Sequence, residues 1–288
     1  LKQMKFITAV LLAIATLAHA QEEPLRLEFG VYPSDRATVM YRKFSPILDA
    51  LRVPLESQLG RDIDIHMTIF KDYQSGIDAL ANGDVDFVRF GPSSYILAEK
   101  HNPDIQLLAM ELRKGLKRFN GLIIARKESD ISGMNDLTGK TFAFGDSNST
   151  VGSFLAQSLM VEHNITSDSL KTHDYLGRHD LVAKAVITGT HDAGALKVST
   201  YKKLCDPDDI IIVQAFTNVT KPWVASSSLP ADVCKAITVA LLTLEDQGAL
   251  GELGISGFAE TNPEEYELVR NGMKTAESFY PKADEENN

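Results

Sequence analysis

The 288-residue sequence predicts an α/β fold of two lobes with a ligand cleft between them. Three observations predict it. Strand-like apolar runs alternate with segments of helical periodicity along most of the chain. Two of the strand-to-helix turns carry the same small-hydroxyl chemistry, one in each half of the proposed architecture. After Pro230 the pattern is almost wholly helical, which suits a chain that returns to pack on its first lobe after two sheet-forming blocks.

The elements follow in order. Met4 and Lys5 lead into an uncharged run over residues 6–18, and Ala18-His19-Ala20 precedes Gln21-Glu22-Glu23. This is the layout of a secretory signal peptide, residues 1–20, cleaved after Ala20. The run is too short for a membrane-crossing helix, which needs about 20 apolar residues. Gln21 stands where a lipid-modified cysteine would tether a bacterial lipoprotein, so the mature product is expected free in the periplasm. Strands are expected at residues 25–31, 63–70, 85–90, 105–110, 121–125, 141–144, 193–196 and 210–214. Helices are expected at 37–59, 75–81, 93–100, 150–162 and 181–188, then at 231–247 and 263–280. Strand, helix, strand in repetition implies parallel sheets, whose ligands sit beyond the carboxyl ends of the strands. Crossings between lobes are placed at 116–120 and 216–222, giving lobe one as 24–118 plus 222–288 and lobe two as 119–221.

The charge balance narrows the partners. The formal charge is −10, from 29 basic and 39 acidic side chains, and it moves to −12 when Lys2 and Lys5 leave with the signal. No block of Lys or Arg is long enough to line a nucleic-acid groove, so no nucleic acid is expected. The acidic total does not decide against a small anion, because the fields of exposed charges fade over about 8–10 Å in physiological salt. Cys205 and Cys234 enter an oxidising compartment, where they either pair or serve as two small buried hydrophobes.

Four turns could carry chemistry. The strand at 141–144 runs into Gly145-Asp146-Ser147-Asn148-Ser149-Thr150-Val151-Gly152-Ser153 at a helix start. Unpaired backbone N–H groups, short hydroxyls and the positive end of a helix dipole suit a tetrahedral oxyanion. An ordinary N-cap, with Ser149 or Thr150 satisfying its own helix, is the plain alternative. Gly91-Pro92-Ser93-Ser94-Tyr95 repeats the arrangement after the strand at 85–90, with Pro92 suited to a first helical position. Tyr32 and Tyr73 put phenols near the same edge, as ligand contacts or as core aromatics. His179-Asp180 opens a helix, where His179 could donate a ring N–H to an anion or simply join Asp180 in capping. His173-Asp174 and His191-Asp192 lack the spacing that puts two ligands on one helical face, so neither a metal nor any other cofactor is expected. Lys197 and Lys221 would suit a small or strongly anionic ligand, although lysines are more often solvated surface.

Gly145-Asp146-Ser147 is similar to the nucleophile turn of GDS-type esterases. That chemistry needs a base, usually a late histidine, and no histidine follows His191. No Gly-x-Ser-x-Gly elbow is present either, so a binding role is expected and not an enzymatic one.

A set of segments carries a family resemblance. Gly30-Val31-Tyr32-Pro33, Asp72-Tyr73, Gly83-Asp84-Val85-Asp86-Phe87 and Phe90-Gly91-Pro92-Ser93-Ser94-Tyr95 lie in the first half. Leu137-Thr138-Gly139-Lys140, Ser149-Thr150-Val151-Gly152, His179-Asp180, Gly189 and Asp192-Ala193-Gly194-Ala195 follow. In this order, over most of residues 27–270, the chain resembles the phosphonate-type substrate-binding proteins of ABC importers. The resemblance implies the type II periplasmic binding fold, with mixed sheets flanked by helices and the ligand between lobes. It implies a monomer that holds phosphate, phosphite or phosphonate oxygens at Ser149, Thr150 and Val151, and presents the closed form to an inner-membrane permease. Tyr73 and His179 match family contact positions. Val151 stands where the family often has serine, and Phe119 stands where members that bind aminoalkylphosphonates can offer a tyrosine. Near Ser199 and Lys221 no carboxylate is found for a ligand amine, which counts against an aminoalkyl ligand. A sulfonate or sulfate binder, or a sensor docking on a receptor, is the alternative within the same fold.

Overall fold

The computed structural model describes residues 23–281; the expected signal peptide at 1–20 and the polar tail at 283–288 lie outside the described residues. Strands β1 (Leu25–Val31), β2 (Ile63–Ile69), β3 (Phe87–Arg89) and β4 (Gln106–Leu112) alternate with helices α1 (Ala37–Leu59), α2 (Tyr73–Asn82) and α3 (Pro92–His101). The chain then builds β5 (Arg118–Arg126), β6 (Thr141–Phe144), α4 (Leu155–Glu162), β7 (Thr172–Tyr175), α5 (His179–Ile187), β8 (Ala193–Lys197), α6 (Val198–Leu204) and β9 (Ile210–Val219). It closes with β10 (Pro222–Ala225), α7 (Ala231–Leu242), α8 (Gln247–Leu253), β11 (Gly257–Ala259) and α9 (Glu267–Ala276).

Two sheets form, in the orders β11-β4-β10-β3-β1-β2 and β7-β6-β8-β5-β9. They are mixed. In the first, β2, β1 and β3 are parallel, while β10 runs antiparallel to β3 and β4, and β11 antiparallel to β4. In the second, β7, β6 and β8 are parallel and β5 is antiparallel to β8 and β9. The sheets are mixed, as the family resemblance implies, where the strand–helix alternation by itself implied parallel ones, and the crossings explain the difference. A chain that leaves one sheet by β4 into β5 and comes back by β9 into β10 brings those strands in against the direction of their neighbours. The two crossings also bond to each other: Thr220 N–H donates to Lys117 O at 3.0 Å, and Glu111 N–H to Lys221 O at 3.0 Å.

Each sheet has its own core. In the first, α1 lays Met40, Phe44, Ile47, Leu48, Leu51 and Leu55 on the sheet, despite Pro46 and Pro54 within it, and stops at Gly60, whose φ of 67° is left-handed. The Phe29 ring stacks on Trp223 with centroids 5.0 Å apart, and both are fully buried. Side chains of this size stabilise by about 1.5–3 kcal/mol each. In the second, Phe142, Phe144, Met160 and Ile123 share one cluster. Phe279 belongs to that second cluster, so the last turn departs from the expected return to lobe one. The helix before it, α9, packs against α3 of the first lobe and α4 of the second. Cys205 and Cys234 are both free and buried, in the cores of different lobes.

The short strands β7, β10 and β11 and the helix α6 were not expected. Residues 231–247 divide, because Asp246 caps a new helix by accepting from the Gly248 and Ala249 N–H groups. Residues 150–162 are not uniformly α-helical: Thr150–Phe154 wind as a π turn before α4 begins. Such turns are rare and recur at functional sites.

Candidate functional site

The carboxyl ends of β1, β3, β6 and β8 converge where the two sheets face each other, as the rule for α/β sheets requires. What converges there is set by the turns. Ser149 Oγ accepts from Gly152 N–H at 3.1 Å, and Ser149 O accepts from Ser153 and Phe154 N–H. The capping alternative therefore holds for the Ser149 side chain. It leaves the N–H groups of Thr150 and Val151 without a protein acceptor among the described residues. Gly152 makes the turn possible: a Cβ there would lie 2.9 Å from Gly145 Cα, and its carbonyl accepts from Gly145 N–H.

The facing turn belongs to α3. Ser93 N–H donates to Thr150 Oγ1 at 2.9 Å, the two hydroxyls lie 2.8 Å apart, and Ser93 Oγ donates to Asn148 O at 2.7 Å. Asn148 Nδ2 donates to Gln74 Oε1 at 2.9 Å. Two helix starts, one from each lobe, thus bond directly in a closed cleft.

Between them lies a cavity lined by Tyr73, Gly91, Pro92 and Phe119 with Ser149, Thr150, Val151 and His179. Lys197, Asn218 and Lys221 complete the wall. About 20 Å³ of it is open to the centre of a water molecule, room for one or two waters. Its polar groups lack partners. His179 Nδ1 and Asn218 Oδ1 are buried with no hydrogen bond, a costly state that a bound group would relieve. A side-chain amide can present its NH₂ instead of its carbonyl on that side. Burial, and then the charges of Lys197 and Lys221, hold the His179 imidazole well below its ordinary 6.5. It is neutral at neutral pH, and in one tautomer Nδ1 carries a proton to donate.

The two lysines are not solvated surface. Burial pushes the Lys197 ammonium down to about 8, against the opposing pull of Asp35 3.5 Å away across the cleft. Burial, followed by Arg89 and Lys197, holds Lys221 well below 10.5, and no carboxylate lies within 4 Å of it among the described residues. Two partly buried lysines, one sharing Asp35 with Lys43 and the other with no carboxylate within 4 Å among the described residues, suit an anion at this site.

The other residues singled out in the sequence support this cavity or lie away from it. Tyr32 stacks on Tyr73 with centroids 3.6 Å apart, accepts from Gly91 N–H and meets Ser94 Oγ at 2.9 Å. Tyr32 and Ser94 thus hold the α3 turn in place from behind. Burial, with Tyr32 and Asp146 adding to it, keeps the Tyr73 phenol well above its usual range, so it stays a hydroxyl. Tyr95 does not reach the cavity: the helix turns it into the first lobe against Tyr266, at 5.0 Å between rings, with its hydroxyl donating to Glu99. Asn218 was missed, and its signal was weak, since nothing local distinguishes an asparagine near a strand end. His191 meets Asp174 at 2.9 Å, so the two His-Asp pairs do come together, as a hydrogen bond on the far side of lobe two. Ser147 is exposed, and among the described residues no histidine bonds to it.

Two lobes built on mixed sheets, crossed twice by the chain and closed over a polar cavity at the strand ends, define a periplasmic binding protein. Residues 29–266 match the family described as "ABC transporter, phosphonate, periplasmic substrate-binding protein". The chain belongs to this family and is the substrate-binding component of an ABC transporter. It is 23% identical over 224 residues to the "Phosphate-import protein PhnD" of Mycolicibacterium smegmatis, covering 74% of this chain and 68% of that protein. It is 25% identical over 187 residues to the "Probable ABC transporter phosphite binding protein PhnD1" of Prochlorococcus marinus, covering 62% and 60%. The fold is shared with the structure of PhnD1 from Prochlorococcus marinus in complex with methylphosphonate, at a TM-score of 0.76 and 20% identity, over 88% of this chain and 98% of that one.

Proposed function

We propose that the protein carries a small phosphorus oxyanion, phosphite, phosphate or a phosphonate, held by closure of the two lobes and presented to an inner-membrane permease. It does so as a monomer, exported by a signal peptide removed after Ala20. The observation that carries this reading is the convergence of two free backbone N–H groups, at Thr150 and Val151, with an unpartnered His179 Nδ1 and two partly buried lysines in one interlobe cavity. Closure is favoured because only the closed form lets groups from both lobes reach one ligand. The lobes move about the crossings near 116–120 and 216–222, and Ser93 and Thr150 latch them.

A melting-temperature screen against phosphite, phosphate, methylphosphonate, sulfate and taurine tests the reading. A ligand at about 100 times its dissociation constant adds roughly 2.7 kcal/mol. Stabilisation by the phosphorus anions supports the proposal; stabilisation by sulfate or taurine alone refutes it. Thr150→Ala removes a hydroxyl that both lobes use, and is expected to weaken binding by about 1–3 kcal/mol in titration calorimetry. Thr150→Ser is expected to keep most of the affinity.

Lys197 gives the binding a pH dependence. In the free protein it loses its proton near 8. A bound anion favours the charged form, so above that pH binding takes up a proton and affinity falls, approaching about tenfold per pH unit. The ligand's second ionisation lies below that pH, so the dianion predominates and contributes little to the trend. Calorimetry in buffers of different ionisation enthalpy checks the uptake. The free protein moves the other way: between about 8 and 10.5 the unfolded lysine holds a proton that the folded one has released, so stability rises with pH across that window.

A further inference from the structure

The small cavity does not end the cleft. Lys197 and Lys221, which line it, also border a second chamber of about 220 Å³, walled by Arg89, Arg113 and Lys43 with Ser34, Met40 and Phe44, and rimmed by the exposed Glu252. The charges there do not balance. Arg89 is bound by Glu111 through two hydrogen bonds of 2.6 and 2.9 Å, and Lys43 is bound by Asp35 at 2.9 Å. Lys197 shares that same Asp35. Arg113 and Lys221 have no carboxylate within 4 Å among the described residues, and Arg113 Nε is buried with no hydrogen bond at all. The Arg113 guanidinium lies 5.0 Å from the centre of the Phe119 ring, and Phe119 lines the small cavity. One arginine therefore stands at the junction of the two spaces with its Nε unused.

We infer that the preferred ligand carries a second anionic group, a carboxylate or another phosphoryl close to the first, seated in this chamber against Arg113 and Lys221. The inference rests on the phosphorus-oxyanion reading and narrows it. A space with room for one or two waters holds no more than the tetrahedral anion itself, so a substituent would be seated beyond Lys197 and Lys221 in the chamber, where an alkyl chain would leave the cations unpaired and an ammonium would be repelled by them. A carboxylate there satisfies them with charge-assisted hydrogen bonds.

Titration calorimetry at neutral pH and fixed salt, with phosphite, methylphosphonate, 2-aminoethylphosphonate and phosphonoacetate as probes, tests this. Phosphonoacetate is expected to bind at least about tenfold tighter than methylphosphonate, and 2-aminoethylphosphonate at least about tenfold weaker, the scale of one charge-assisted hydrogen bond gained or one repulsion met. Arg113→Gln is expected to bring the phosphonoacetate-to-methylphosphonate ratio close to one; should that variant fail to fold, the preferences of the unaltered protein decide the matter. Methylphosphonate binding as tightly as phosphonoacetate, or 2-aminoethylphosphonate binding tightest, overturns the second-anion inference while leaving the headgroup reading intact. If none of the four binds, both fail.

Discussion

Lys197→Met is expected to weaken binding of phosphite or methylphosphonate by about 1.5–3 kcal/mol, the scale of a hydrogen bond to a charged group, while leaving the free protein as stable as before or more so. The two signs come from one cause. Lys197 is a partly buried ammonium whose nearest carboxylate, on Asp35, is 3.5 Å away and already bound by Lys43 at 2.9 Å. Keeping that charge out of water costs the empty protein free energy, which the depression to about 8 reports. An arriving anion recovers it. Methionine fills similar space without the charge, so the empty state loses a penalty and the bound state loses an attraction. Asp35 keeps Lys43 as its partner in the variant. Calorimetry and urea unfolding measure the two effects separately. Equal affinity in variant and parent would remove Lys197 from the site.

Arg89→Met is expected to destabilise the fold by about 3–5 kcal/mol, because it strands the Glu111 carboxylate in the first lobe's core. Glu111 is fully buried, and its two oxygens accept from Arg89 Nε and one terminal nitrogen. Burial pushes the Glu111 carboxyl up, but the Arg89 charge and hydrogen bonds, with Arg113 and Lys221 nearby, outweigh it and hold the group below its ordinary range. The pair therefore contributes stability above the ordinary carboxylate value and loses it as pH falls through the lower folded value. Without Arg89 the burial effect is far less opposed. The deficit of the variant is then expected to narrow on acidification, as the unpaired carboxyl takes a proton. Arg89→Met combined with Glu111→Leu is expected to recover most of the loss in urea unfolding, since replacing both partners removes the stranded charge.

The sequence showed the positions of the helix starts better than the identity of the groups that charge the cavity. Ser149, Thr150, Val151, Tyr73 and His179 line it, and each stands in or beside a turn whose residue types speak for themselves; Phe119 lines it too, but from strand β5, and only the family resemblance pointed to it. Lys197 and Lys221 do not, because burial of a lysine is decided by what packs over it from the other lobe. The rule that ligands gather beyond strand ends pointed at Lys197, which ends β8, but composition alone favoured solvated surface. Tyr95 erred in the opposite direction. It follows the right turn by three residues, and helical rotation carries it into the core. The strands β10 and β11 are too short for alternation to register: β10 is inserted between β3 and β4 where the second crossing returns, and β11 adds to the sheet edge beside β4. The return of Phe279 to the second core is likewise a matter of where α9 ends, which no local pattern encodes.

The central claim is that the Thr150 and Val151 amides grip the anion. It is tested most directly by following the backbone amide resonances of the protein while phosphite or methylphosphonate is titrated in. The account predicts that the Thr150 and Val151 N–H signals show the largest downfield shifts, saturating together with the calorimetric binding. Saturable binding that leaves those two amides unmoved would contradict it.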